Sequence, residues 1–159
     1  MEDQGTALPG TAITTHLTDA ITYLYFQDHD GNIQEYLGGY DKWNSMFCHP
    51  MYFKRNDLTV RAGHNQILAK TEVQISTPLA TAPSSKVGKP HLFYVGGGLV
   101  KDHFDGHEVA KYVPGRRLGA AALGGKVFLF HNALDSTEAI STVVYNGSAW
   151  VKGSTVVPA

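Results

Sequence analysis

Residues 21–43 place the strongest constraint on the fold, because two apolar and aromatic runs flank a short polar turn. The first run contains Tyr23, Tyr25 and Phe26, and aromatic residues of this kind pack well on a pleated sheet. Residues 28–32 are turn formers, and Gly31 can adopt the positive φ that a hairpin with a bulge requires. The chain then returns in a second apolar run. The segment therefore predicts a β-hairpin.

Short alternating or β-branched segments recur along the rest of the chain, and glycine or proline turns separate them. They predict strands at 11–17, 40–46, 58–62, 67–75, 91–95, 99–104, 107–113, 118–123, 126–132, 140–145 and 150–156, with a turn at 64–65 and a long loop around a short strand at 77–90. Glycine and proline at close intervals argue against any helix longer than two turns. A short helix competes only at 108–112. The pattern predicts an all-β fold.

The spacing of equivalent aromatic residues indicates internal repetition. Phe26 and Tyr94 are 68 residues apart, and Tyr94 and Phe130 are 36 apart, close to half that distance. Four short strands in about forty residues is the size of one propeller blade. We therefore expect a single domain over 1–159, built of propeller-type repeats that are short four-stranded antiparallel sheets. Three repeats are clear, at 11–46, 77–113 and 116–157, and 47–76 is a degenerate fourth segment; three or four units remain open.

Composition excludes several classes of function. The chain of 159 residues has 17% charged residues and a net charge of −1, which gives no reason to expect a nucleic acid partner. No apolar run is long enough to span a bilayer. The first ten residues are polar and do not read as a secretory signal, so we expect a cytoplasmic protein or one secreted without a recognisable signal. Cys48 is the single cysteine and cannot form an internal disulfide.

One repeat carries a family resemblance. The matching residues are Tyr25, Phe26, Gln27, Gly31, Ile33, Gln34, Glu35 and Trp43. This pattern resembles a blade repeat of the fungal fucose-specific lectins, which are six-bladed propellers of the Aleuria type. The resemblance implies a non-catalytic, lectin-like protein without a cofactor, whose partners are glycans or glycoproteins bound in shallow pockets between repeats.

The resemblance also implies site residues, because each pocket in that family uses an arginine, a glutamate or glutamine, and an aromatic residue. The matching positions hold Tyr23, Glu35 and Trp43 in the first repeat, His91, Asp102 and Tyr112 in the second, and Val127, Thr142 and Trp150 in the third. The arginine is thus replaced in every repeat, and free fucose is expected to bind poorly. For Tyr23 and Val127 a buried strand position is the favoured interpretation.

A second interpretation rests on the histidines. His91, His103 and His107 lie close together in the sequence, and imidazole suits zinc and copper. They predict, as the alternative function, a metal-binding protein or an enzyme that uses this cluster. However, His103 and His107 flank a probable hairpin turn, and no HExxH motif or G-x-S-x-G nucleophile motif occurs. A defence protein acting on cell surfaces is a third possibility that overlaps with the first.

The number of repeats has a consequence for assembly. An open sheet edge invites pairing with another chain, and three blades cannot surround a central channel. Two copies related by a two-fold axis would supply six blades, and two-fold dimers are the commonest oligomers. We therefore expect a homodimer.

Overall fold

The computed structural model describes residues 7–18, 21–39, 52–55, 58–61, 64–84, 90–132 and 139–156. Within these ranges the protein is all-β, as predicted, and contains fourteen strands and no helix. In this part of the chain, no helix is present that could cross a membrane.

The strands follow one another in short, mostly hairpin-connected segments. Their bounds are β1 Ile13–Leu17, β2 Ile21–Gln27, β3 Ile33–Gly39, β4 Tyr52–Arg55, β5 Leu58–Arg61, β6 His64–Leu68, β7 Ala80–Ala82, β8 His91–Gly96, β9 Leu99–Asp102, β10 Glu108–Lys111, β11 Gly119–Leu123, β12 Lys126–Asn132, β13 Ile140–Tyr145 and β14 Trp150–Val156. Within the segment 108–112, for which a short helix was the alternative, residues Glu108–Lys111 form a strand.

Twelve of these strands form three antiparallel four-stranded sheets. The first sheet has the order β1-β2-β3-β6, the second β10-β9-β8-β7 and the third β11-β12-β13-β14, while β4 and β5 form a separate hairpin. The repeated four-stranded sheets confirm the predicted fold class. Two of the hairpins turn on glycine pairs, Gly97–Gly98 and Gly124–Gly125, and all four glycines have positive φ. Positive φ at both central residues is what a two-residue hairpin turn of type I′ requires.

The outer strand of the first sheet differs from the prediction. The segment 40–46, expected beside β3, lies outside the described residues, and β6 occupies that position. The predicted turn at 64–65 and strand at 67–75 are wrong, because β6 runs from His64 to Leu68. The strand ends at Leu68, where Glu72 N donates to the carbonyl of Ala69 and Lys70 N donates to the side chain of Asn32. Apolar and polar residues continue to alternate through this turn, which is why the segment 67–75 was predicted as a strand.

The second sheet lies between the other two, since β7 contacts both β1 and β11. Every residue of β8 is buried, because the two faces of this strand pack on different neighbours. Leu92 and Tyr94 join a core with the first sheet, whereas Phe93 and Val95 join a core with the third. The fold is therefore a stack of three sheets with two separate apolar cores.

The structure corrects the register of the third repeat. Val127 and Leu129 point back into the core shared with the second sheet. Because side chains alternate along a strand, Phe130 points the opposite way, whereas Tyr94 points back toward the preceding sheet. Tyr94 and Phe130 are thus not equivalent. A shift of one residue moves a side chain to the other face.

Asp28 closes the β2–β3 hairpin and is almost fully buried. Its carboxylate accepts hydrogen bonds from Asn32 N at 2.8 Å, from the Asn32 side chain at 3.2 Å and from the Gln34 side chain at 2.6 Å. Burial alone would raise the pKa of Asp28, but these bonds hold it below its ordinary value of 3.8.

Asp28→Asn is expected to lower the free energy of unfolding by about 2 kcal/mol at neutral pH, because buried donors lose their acceptor. A pKa that is depressed on folding contributes stability above 3.8, and this contribution is lost as pH falls through the lower folded value. The stability difference between the two proteins should therefore shrink in acid. Urea denaturation across pH tests this, with the exposed Asp30→Asn as control. A difference that stays constant below the ordinary value would contradict it.

Candidate functional site

The first crevice lies between the first and second sheets and carries a carboxylate beside two tyrosines. Tyr25 and Glu35 are direct cross-strand neighbours, and the Tyr25 hydroxyl donates to Glu35 Oε2 at 2.8 Å. The Tyr23 ring stacks on that of Tyr25, with centroids 6.3 Å apart. Both rings are buried, whereas Glu35 is half-buried. The crevice thus presents an oriented carboxylate that solvent can reach.

Burial and the nearby carboxylate both keep these tyrosines protonated. Burial raises the pKa of Tyr25 strongly, and the negative charge and hydrogen bond of Glu35 raise it further. The pKa of Tyr23 is raised by burial and then by Glu35. The neighbouring His16 ring lies 6.2 Å from that of Tyr23, and burial lowers the pKa of His16. The phenol of Tyr25 therefore remains a hydrogen-bond donor that orients Glu35.

The second crevice, between the second and third sheets, contains a buried histidine–aspartate pair. Phe93 and Asp102 are direct cross-strand neighbours, in the same arrangement as Tyr25 and Glu35. Phe93 has no hydroxyl, and Asp102 Oδ2 instead pairs with His91 Nδ1 at 2.6 Å. The side chains are only 2% and 0% exposed. Asp102 Oδ1 accepts a further hydrogen bond from Phe104 N at 3.0 Å.

Aromatic rings enclose this pair. Centroids lie 5.5–6.1 Å from that of His91 for four rings, those of Phe93, Phe104, Tyr145 and Trp150. Trp150 comes from the third sheet, and its Nε1 is buried without a hydrogen-bond partner. The second crevice is therefore filled by the protein's own side chains, and its carboxylate is closed to solvent.

The predicted site residues are distributed over both crevices. Tyr23 and Glu35 share the first, while His91, Asp102 and Trp150 meet in the second. Tyr112 is half-buried beside the second core, and its hydroxyl donates to the carbonyl of Arg116. Trp43 lies outside the described residues. The roles assigned to all seven in sugar binding stay predictions.

In the third sheet, Val127 lies in the core, as its favoured interpretation stated. It does not occupy the arginine position, however, because that position faces the following sheet and Val127 faces the preceding one. Thr142 lies on the other face from Val127 and donates to the carbonyl of Ser154 at 2.7 Å. Neither Val127 nor Thr142 contributes a polar group to the first or the second crevice.

The histidine cluster is not assembled as the alternative function required. His103 and His107 are exposed, whereas His91 points into the second crevice. Among the described residues, the group that could hold a metal ion is His91, Asp102 and Asp105, whose ligand atoms lie within 4.8 Å of one another. His103 begins the turn that follows β9, and His107 precedes β10, so neither belongs to this group.

Several residues of the crevices were not among the predicted site residues, namely Tyr25, Phe93, Phe104 and Tyr145. Tyr25 and Phe93 each follow a predicted site residue by two positions, the spacing that places side chains on one face of a strand. This two-residue spacing could therefore have identified both residues from the sequence. The contribution of Tyr145 and Trp150 from the neighbouring sheet depends on how the sheets stack.

Three solved structures are similar to the chain over nearly its whole length. The SapL1 lectin in complex with α-methyl fucoside has a TM-score of 0.60 and 21% identity, with 97% of this chain and 50% of that one covered. AofleA from Arthrobotrys oligospora has a TM-score of 0.64 and 18% identity, with 94% of this chain and 43% of that one covered. The Aleuria aurantia lectin is described as a six-bladed β-propeller. It has a TM-score of 0.63 and 16% identity, with 96% of this chain and 51% of that one covered. This chain has the propeller-lectin fold.

The propeller-lectin likeness is one of structure. No family model matches the sequence, and no curated protein matches it. The chain spans about half the length of the lectins it resembles. The resemblance expected from residues 25–43 is thus confirmed at the level of the fold.

Proposed function

We propose that the protein binds carbohydrate without catalysis and that the first crevice is its binding site. The observation that carries this proposal is the half-buried Glu35, held by Tyr25 on a fold shared with lectins. A carboxylate accepts hydrogen bonds from sugar hydroxyls, and charge makes such bonds stronger than neutral ones. Partly apolar surroundings with few oriented polar groups are typical of small-ligand sites.

The second crevice is a weaker candidate for the same task. Asp102 already accepts bonds from His91 and Phe104 N, and the surrounding rings leave it 0% exposed. A sugar could reach this carboxylate only by displacing packed aromatic side chains. Of the two crevice carboxylates that the structure describes, that of Glu35 is exposed enough to bind a sugar without such a rearrangement.

We expect the preferred sugar to differ from the fucose that the resemblance implies. The arginine positions hold Tyr23 in the first repeat and His91 in the second, and both are buried. Because neither of these two described positions holds an arginine, free fucose should bind weakly. A glycan array identifies the preferred sugar.

Glu35→Gln is expected to weaken glycan binding about tenfold, because a charge-assisted hydrogen bond becomes a neutral one. The variant keeps the size of the side chain and an acceptor for Tyr25. Glu108→Gln, on an exposed strand position, is the matched control. Titration calorimetry with the best glycan of the array measures the effect. Unchanged affinity in a folded Glu35→Gln protein would remove the first crevice as the site.

The same array, repeated with a chelator, separates the two candidate functions. Binding that survives chelation supports the lectin proposal. Binding or activity that disappears would favour the metal alternative through His91, Asp102 and Asp105.

We also propose that the protein acts as a homodimer, so that each assembly presents the Glu35 crevice twice and gains avidity.

A further inference from the structure

The Glu35 carboxylate lies beside the apolar core of the first crevice. Side chains of the first sheet, of the second sheet and of the segment between them form this core: Tyr23, Tyr25, Ile33, Leu68, Val73, Leu79, Leu92 and Tyr94. Glu35 contacts the core through the hydroxyl of its cross-strand neighbour Tyr25. Among apolar side chains a charge acts more strongly than it does in water. The charge of a ligand therefore matters more at Glu35 than it would at an open surface.

The charges that act on this core are negative. Burial raises the pKa of Tyr25 and that of Tyr94, and nearby carboxylates raise each pKa further. The carboxylate is that of Glu35 for Tyr25, whereas Glu72 and then Asp102 act on Tyr94. A cleft that is lined by one sign of charge and has apolar walls concentrates ligands of the opposite sign. The first crevice is thus suited to a cation.

Within the described part of the chain, Glu35 has no positively charged partner. Neither of the two ion pairs among these residues includes it. Its hydrogen-bond partner there is Tyr25, whose uncharged phenol donates to Oε2 and leaves Oε1 to a ligand. The base on the same face is His16, the cross-strand neighbour of Tyr23, and burial lowers the pKa of His16 below its ordinary value of 6.5. At neutral pH this imidazole is therefore uncharged.

We infer that the first crevice selects sugars that carry a free, protonated amine, such as the hexosamines. This inference rests on the proposed function and adds a substrate class to the same site. The ammonium group donates a charge-assisted hydrogen bond to Glu35, which is stronger than a bond from a neutral hydroxyl, and complementary charge mainly provides specificity. The whole chain has a net charge of only −1, so the attraction comes from the crevice rather than from the overall charge of the protein.

Titration calorimetry at neutral pH tests the inference on the wild-type protein. The ligands are the methyl glycosides of glucosamine and galactosamine, their N-acetyl derivatives and the parent hexoses. N-acetylation keeps the sugar ring but removes the charge. At least one amino sugar should bind about tenfold more tightly than its acetylated and parent forms. The simple amine n-butylamine carries the charge without the sugar and should show no measurable binding.

Two variants separate the charge of Glu35 from its structural role. Glu35→Gln should reduce the ratio of affinities for the amino sugar and its acetylated form to about one, because the charge is lost. Tyr25→Phe removes the phenol but keeps the charge, so both affinities should fall together and the ratio should persist. Glu108→Gln, at an exposed strand position, should leave both affinities unchanged. If Glu35 acted only on the shape of the site, Glu35→Gln would weaken both ligands equally.

The outcomes distinguish this inference from the proposed function. A wild-type protein that binds neutral or acetylated glycans as tightly as amino sugars would overturn the inference and leave the lectin proposal intact. A protein that binds no glycan would overturn both. Binding of n-butylamine as tight as that of the amino sugars would show that the ammonium group alone is recognised, and the assignment to a sugar would then be wrong.

Discussion

Asp102→Ala is expected to lower the free energy of unfolding by about 3–5 kcal/mol, because it leaves a buried imidazole without its partner. The His91–Asp102 pair is 2.6 Å apart, and neither side chain is more than 2% exposed. Phe104 N would also lose its acceptor, at a further cost of desolvation. Guanidinium denaturation of the folded variant measures the loss.

The double variant His91→Leu/Asp102→Leu is the control for this prediction. Replacing both members of a buried pair by apolar residues of similar size is often neutral or stabilising. Here the surrounding rings of Phe93, Tyr145 and Trp150 already form an apolar lining. We therefore expect the double variant to recover most of the stability lost in Asp102→Ala. A single variant that costs less than about 1 kcal/mol would show that the pair is not held in a dry crevice.

Phe93→Ala is expected to cost about 3–5 kcal/mol, since the side chain is fully buried and leaves a cavity between the second and third sheets. Its ring packs on those of His91 and Trp150 and lies in the core with Val127 and Leu129. Loss of this ring weakens the contact between the two sheets. Thermal and chemical denaturation measure the loss in the free energy of unfolding.

Phe93→Leu is the graded control, because it keeps most of the apolar volume and should cost less than half as much as Phe93→Ala. The half-buried Phe104, on the turn after β9, provides a second comparison, and its alanine variant should lose less stability. Equal effects at positions 93 and 104 would contradict the placement of Phe93 at the centre of the core.

The fold class and most hairpins could be predicted from local sequence. The run 21–37 forms β2, a turn and β3, because aromatic strand residues and a tight turn act over a few residues. The glycine pairs at 97–98 and 124–125 turn as predicted, since glycine adopts positive φ without a steric penalty. The resemblance carried by residues 25–43 then led from strands to the propeller-lectin fold.

The candidate residues were predicted, but not their partners. Glu35, His91, Asp102 and Trp150 were all chosen from repeat positions. Within the sequence, Trp150 belonged to the third repeat alone, whereas the structure places it against His91 of the second sheet. Repeat spacing contains no information on which sheets are neighbours, and so the closure of the second crevice could not be foreseen.

By itself, the sequence determined most of the strands and hairpin turns and the repetition of four-stranded sheets, because these depend on contacts between residues close along the chain. The tertiary structure decided three further things. It placed β6 beside β3 across an intervening hairpin, it fixed the face on which Val127 and Phe130 lie, and it left Glu35 accessible while closing Asp102. Each depends on packing between distant segments, where a shift of one residue reverses the side that a side chain faces.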